Sequence, residues 1–132
     1  MSFSIRDLTT SQIQTLNTSQ IISLSTDDMV ALSTSQIAAL TTTQLSALET
    51  RDLAALKTSQ VQALTSAQVS VLSTDQIAAL TTAQMAALET RDLITLKTAQ
   101  IQALSSAQAS ALTSDQIAAL TTAQVAALET RD

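Results

Sequence analysis

The sequence predicts an all-α solenoid, a superhelix of very short capped helices with one helix in every eight residues. Three observations predict it. Leucine returns every eight residues without a miss, from Leu8, Leu16 and Leu24 to Leu128. A Ser or Thr stands two residues after every one of those leucines, from Thr10 to Thr130. The residues between are strong helix formers, Ala and Gln above all, and the 132-residue chain has no Gly, which an all-β array of this length would need.

A single long helix does not fit the period. Eight residues at about 100° each leave successive leucines rotated by about 80°, so they spiral around the rod and make no stripe. The chain must therefore turn within each octad.

Counted from its leucine, the octad assigns a task to each position. Position 2 is polar and variable, as in Thr9, Asn17, Glu49 and Lys57. Position 3 is always Ser or Thr, with Ser66, Ser106 and Ser114 as the serine variants. Position 5 is Gln, or Asp at Asp28, Asp52, Asp92 and Asp132. Position 6 is aliphatic, as in Ile13, Met29, Leu45 and Val61, with Ala109 the small exception. Positions 7 and 8 are mostly Ala, which lets neighbouring helices approach closely.

A helix N-cap needs a side-chain oxygen that accepts from the free N–H groups of the first turn. Two registers supply one. Thr82 at position 3 would cap a helix running from Ala83 to Leu88. Thr81 at position 2 would instead form a capping box with Gln84, with Leu80 and Met85 as the hydrophobic staple. Position 2 accepts Glu and Lys whereas position 3 never does, which favours position 3 as the cap. A helix of about six residues is unstable alone, because nucleation is unfavourable and propagation hardly begins. Octads must stack, and Gln at position 5 can form a ladder whose amides satisfy the corner backbone groups of adjacent rungs.

A second period lies above the first. Residues 49–88 and 89–128 differ at ten positions of forty, and Glu-Thr-Arg-Asp recurs at 49–52, 89–92 and 129–132. Five octads per coil would stack Glu49 under Glu89 and Arg51 under Arg91. Four would place Lys57 under Glu89, and three would place Arg51 between Asp27 and Asp75. The charge argument favours about four octads per coil, with three or five open. Residues 1–132 form one repeat domain: a partial octad at 1–7 containing Phe3 and Ile5, octads over 8–127, and a truncated octad at 128–132. The stop in mid-octad implies a fragment of a longer array.

Stretches such as Leu72-Ser-Thr-Asp-Gln-Ile-Ala-Ala-Leu-Thr-Thr-Ala-Gln-Met-Ala-Ala-Leu88 resemble the octapeptide (LTTxQIxA) arrays of very large, repetitive bacterial surface or adhesin-like proteins, often labelled as haem utilisation proteins. The resemblance runs from Leu8 to Asp132. It implies a bacterial structural region with an extracellular or cell-surface location, and it transfers no catalytic or ligand residues. The haem label finds no support in the residues: there is no His or Cys, and Met29 and Met85 fall at core position 6.

The residues point to no catalytic, cofactor-binding or metal site. Serines abound, but no His can serve as their base and no Gly can form a nucleophile elbow or phosphate loop. Lys57 and Lys97 could formally pair with Ser, yet both occupy the variable corner position. Asp27-Asp28 lacks the further oxygen ligands and Gly turn of a calcium loop. These acids, with Asp52, Asp75, Asp92 and Asp115, read as first-turn acids favoured by the helix dipole. Six Lys+Arg against eleven Asp+Glu give a net charge of −5 without a basic cluster, which argues against nucleic acid as a partner. Polar residues interrupt every octad, so no membrane span is expected. The opening Met1-Ser2-Phe3-Ser4 has neither the basic region nor the apolar core of a signal peptide.

The function expected is a non-catalytic spacer or stalk, with no enzyme activity and no cofactor. The alternative is a binding module whose Thr/Ser/Gln ladders meet a glycan, ice or another copy of the array, with end-to-end self-association through open ends and the ligand itself unknown.

Overall fold

A computed structural model of the chain describes residues 5–130. Phe3, Arg131 and Asp132 lie outside the described residues. After a 3-10 turn at Ile5–Asp7, the first coil holds α1 (Thr10–Gln14), α2 (Thr18–Ile22) and α3 (Thr26–Ala31). The second holds α4 (Thr34–Ala39), α5 (Thr42–Ala47) and α6 (Thr50–Ala54). The third holds α7 (Thr58–Gln62), α8 (Ser66–Ser70) and α9 (Thr74–Ala79). The fourth holds α10 (Thr82–Ala87), α11 (Thr90–Leu93) and α12 (Thr98–Gln102), and the fifth holds α13 (Ser106–Ser110), α14 (Ser114–Ala119) and α15 (Thr122–Thr130). The described residues contain helix and turn but no strand. The predicted solenoid of short helices, one per octad, is the architecture observed.

Each helix packs on the helix three octads away: α1 on α4, α2 on α5, α6 on α9, α12 on α15. One coil is therefore three octads, or 24 residues, and not the four that the charge argument favours. That argument weighed Lys57 and Glu89 across coils. In the structure Glu89 pairs within its own octad instead, with Arg91 at 2.9 Å, as Glu49 does with Arg51 at 3.2 Å. Neutral hydrogen bonds between coils, described below, set the count.

The cap lies one residue earlier than expected. Thr81, not Thr82, is the N-cap of α10: its hydroxyl accepts from Gln84 N–H at 3.1 Å, and its own N–H donates to Gln84 Oε1 at 2.8 Å. The capping-box register prevails because it satisfies two orphan donors with one pair of side chains, whereas a position-3 cap would satisfy one. Where position 2 is Lys57 or Lys97, an ammonium has no lone pair to give. Only the glutamine half of the box remains there, Lys57 N–H to Gln60 Oε1 at 2.8 Å and Lys97 N–H to Gln100 Oε1 at 2.7 Å. Position-3 residues such as Thr82 become the first helical residue and face outward.

Each six-residue helix closes on the next leucine, whose backbone returns to an extended conformation, as at Leu80 (φ −62, ψ 138). Those leucines and the position-6 side chains point inward and form the core. Ile13, Ile37, Leu45, Ile77, Met85 and Ile101 are fully buried, and Leu32 to Leu104 are nearly so. Position 8 is half-buried, as at Ala39 and Ala79, which suits the close approach expected of it. Position 7 is different: Ala38, Ala78 and Ala86 are exposed, which explains why Ile22 and Ile94 are accommodated there, 48% and 44% exposed.

Candidate functional site

The most elaborate chemistry in the molecule sits at the corners between helices, and glutamine at position 5 builds it. Gln84 shows the pattern. Its Oε1 holds the Thr81 N–H, while its Nε2 donates downward to the carbonyls of Leu53 at 2.9 Å and Leu56 at 2.8 Å, with Ala54 at 3.2 Å. Those carbonyls belong to the end of α6 and the corner that leads into α7, the helix beneath α10. One amide therefore serves the start of one helix and the end of another. Gln44, Gln60, Gln68, Gln76, Gln108 and Gln116 repeat the arrangement with the same sequence offsets. All are buried. The ladder expected at position 5 is present, and it is internal, so these amides are not part of an exposed binding face.

Asp52 and Asp92 break the pattern. Both occupy position 5 in interior coils, and both side chains are fully buried, whereas Asp75 and Asp115 at position 4 are exposed as first-turn acids should be. A carboxylate is shorter than the glutamine side chain and, when ionised, has no hydrogen to donate. Both oxygens of Asp52 and Oδ2 of Asp92 lack a hydrogen-bond partner. Asp92 Oδ1 accepts from the Ser66 hydroxyl at 2.8 Å, supplied by α8 one coil below. The Arg51 and Arg91 Nε atoms lie 3.8 Å from Oδ1 of the adjacent aspartate, on side chains that are 65% exposed and shared with glutamate. Burial, the largest effect, pushes both carboxyls above their ordinary range. Against it act Arg51 for Asp52, and the Ser66 hydroxyl and Arg91 for Asp92; Glu49 and Asp28 raise Asp52 further, and Glu89 raises Asp92. Residue type alone places these two acids with the exposed first-turn acids, and the structure does not. What separates them from Asp75 and Asp115 is position 5, which the structure buries from the second coil onward.

Elsewhere the surface is plain. Position-3 hydroxyls such as Thr34, Thr58 and Thr82 stand exposed in a row up one column, one per coil. Lys57 and Lys97 are exposed at their corners, and among the described residues neither is hydrogen-bonded to a serine. Asp28, next to Asp27, accepts from Ser25 N–H at 3.0 Å as an ordinary capping acid. Among the described residues no group of three or more His, Cys, Asp or Glu is placed to hold a metal. No described helix is long and apolar enough to cross a membrane. At the end of the fifth coil, Leu120, Thr122, Val125 and Ala126 line an open depression of about 270 Å³.

The ALTTAQ repeat family matches the chain three times, over residues 22–50, 45–82 and 85–122. No curated protein and no solved structure matches it significantly.

Proposed function

Since the chain belongs to the ALTTAQ repeat family, we propose that it is a non-catalytic spacer or stalk within a large bacterial surface or secreted protein. The observation that carries this reading is where the polar chemistry goes. From the second coil onward the position-5 glutamine amides are buried and bonded between coils, the position-2 hydroxyls cap helices, and Arg51 and Arg91 pair with the glutamates of their own octads. A coil that hydrogen-bonds only its neighbours can be extended without altering any one of them. The surface setting rests on the resemblance of the octads to those of large bacterial surface proteins.

The test varies the number of octads. Chains lengthened by one, two and three coils should show a maximum dimension in small-angle scattering that rises linearly with coil number. Glycan arrays and ice-recrystallisation assays should be blank for all of them. A glycan or ice response that is lost when Thr34, Thr58 and Thr82 become Val would replace the spacer with a binding module. Surface proteolysis of cells that make the parent protein tests the location.

One observation favours self-association as a second reading. Ile117 and Val125 occupy position 6, which the next coil buries elsewhere, yet they are 47% and 40% exposed. In the first coil, Gln12 and Gln20 are exposed, whereas their counterparts in later coils reach down to carbonyls. A second copy stacked head to tail would bring these two faces together. Sedimentation that shows a strict monomer at millimolar concentration would refute it.

A further inference from the structure

The two aspartate corners leave a specific gap. Glutamine Nε2 donates to carbonyls 31 and 28 residues earlier, as Gln60 does to Met29 and Leu32. The same offsets from Asp52 reach Ile21 and Leu24, and from Asp92 they reach Val61 and Leu64. The Ile21 and Val61 carbonyls still accept from Leu24 and Leu64 N–H within their own turns. Among the described residues the Leu24 and Leu64 carbonyls receive no side-chain donor, whereas Leu32, Leu40, Leu48 and Leu56 each have a glutamine. Unpartnered carboxyl oxygens and a carbonyl without a glutamine thus occur at the same corner, formed by the buried Asp52 and Leu24 or by the buried Asp92 and Leu64. What both lack is one hydrogen.

We propose that Asp52 and Asp92 are proton-binding joints, in which the neutral carboxyl donates its O–H to the open carbonyl of the coil below, Leu24 or Leu64, and ionisation releases that link. The proton comes from solvent and returns to it, and no other bond changes. Replacing a glutamine by an aspartate frees little more than a methylene, so the proton is the ligand that the corner can take without rebuilding. The inference goes beyond the spacer reading: the same array would tighten at these two corners in acid and loosen above.

The surroundings set the balance. Asp52 lies between α3, which presents Asp27 and Asp28, and α9, which presents Asp75, with Glu49 and Arg51 on its own element. Asp92 lies between α8, whose Ser66 donates to it, and α14, which presents Asp115, with Glu89 and Arg91 on its own element. A carboxyl whose pKa is raised on folding binds its proton more tightly in the folded chain than in the unfolded one. Stability is therefore highest below the ordinary aspartate value and falls as pH rises through the raised one.

The test uses the full chain. Carboxyl carbon shifts followed by NMR should show Asp52 and Asp92 titrating above the ordinary aspartate value of about 3.9, and Ser66→Ala should raise Asp92 further while leaving Asp52 in place. Urea unfolding between pH 4 and pH 8 should show the folded-to-unfolded ratio falling as pH rises, by at most about tenfold per pH unit for each carboxyl. That slope should vanish in D52Q/D92Q, which restores the residue used at the other corners and so is expected to fold. Titration at or below the ordinary value, or a slope that survives in D52Q/D92Q, overturns the proposal. So does stabilisation of the wild-type chain by sodium or calcium at pH 8 that D52Q/D92Q does not share, because a cation would then fill the corner.

Discussion

Replacing Gln84 by Ala should be among the most damaging single changes in the array, although the side chain is polar and the octad looks repetitive. Gln84 is 2% exposed, and its amide joins the Thr81 N–H above to the Leu53 and Leu56 carbonyls below. Alanine leaves the Thr81 N–H and the Leu56 carbonyl without that partner, while the Leu53 carbonyl keeps the Leu56 N–H of its own turn. An orphaned buried group costs about 1–3 kcal/mol. Water entering the vacated corner can recover part of this, so the expected loss for the two groups is about 2–4 kcal/mol. Thr81→Ala removes only the hydroxyl of the same capping box, worth about 1 kcal/mol. Urea denaturation of both variants and the parent chain compares them directly, and hydrogen exchange should place the loss at the backbone around residues 53–56 and 81–84. If Gln84→Ala costs no more than Thr81→Ala, the glutamine ladder does not hold the coils together. The three-octad coil would then need another cause.

Position 6 and position 7 should respond oppositely to truncation: Ile77→Ala, at a fully buried site, should cost about 2–5 kcal/mol, and Ile94→Ala, 44% exposed, under about 0.5 kcal/mol. Thermal or urea unfolding measures both. Glu89→Thr gives α11 the side-chain cap it lacks and should stabilise by up to about 1 kcal/mol, since the exposed Glu89–Arg91 pair it removes contributes little. Gln76→Asp puts a second buried carboxyl directly above Asp52, whereas Gln84→Asp puts one in a different column. Adjacent packed helices lie about 8–10 Å apart, so at an effective dielectric of about 20 the stacked pair should cost about 1–2 kcal/mol more at pH 7. Equal losses in the two variants would show that stacking is immaterial.

The fold was legible because each octad repeats the same local instruction. Leu at position 1 and an aliphatic at position 6 mark an inner face, and Ser, Thr and Gln mark a helix start. The cap lies one residue before the expected position for a physical reason: Glu49, Lys57, Glu89 and Lys97, which cannot cap as Ser or Thr do, still do not disqualify position 2. Gln60 and Gln100 supply half of the box whatever the cap residue is, so the register survives a cap that cannot accept. The coil holds three octads and not four because charge is not what sets its size. Exposed ion pairs are worth at most about 1 kcal/mol and cannot outweigh a buried amide repeated at corner after corner. Of the candidate site, the surface rows were readable from residue type alone. The buried aspartates were not, because burial at position 5 follows from which coil lies beneath it, and that required the coil size.

The coil size also gives the longer period a physical consequence. Glu-Thr-Arg-Asp recurs after five octads, and a coil contains three. The second copy therefore lands not above the first but on another column: α6 stacks with α3 and α9, while α11 stacks with α8 and α14. A recurrence after three octads would have set Asp above Asp and Arg above Arg along one edge, adding mutual repulsion to corners already short of a hydrogen bond. With five, Asp52 has Gln76 above it, and Asp92 has Gln68 below and Gln116 above, all bonded to the coils beneath them. Asp28, below Asp52, is the exception, and it is only half-buried, with its carboxylate engaged by Ser25 N–H. Each weakened corner is thus bordered by intact ones. A joint that opens on ionisation loosens one edge of the prism locally, while the other two edges of the same coil stay fastened.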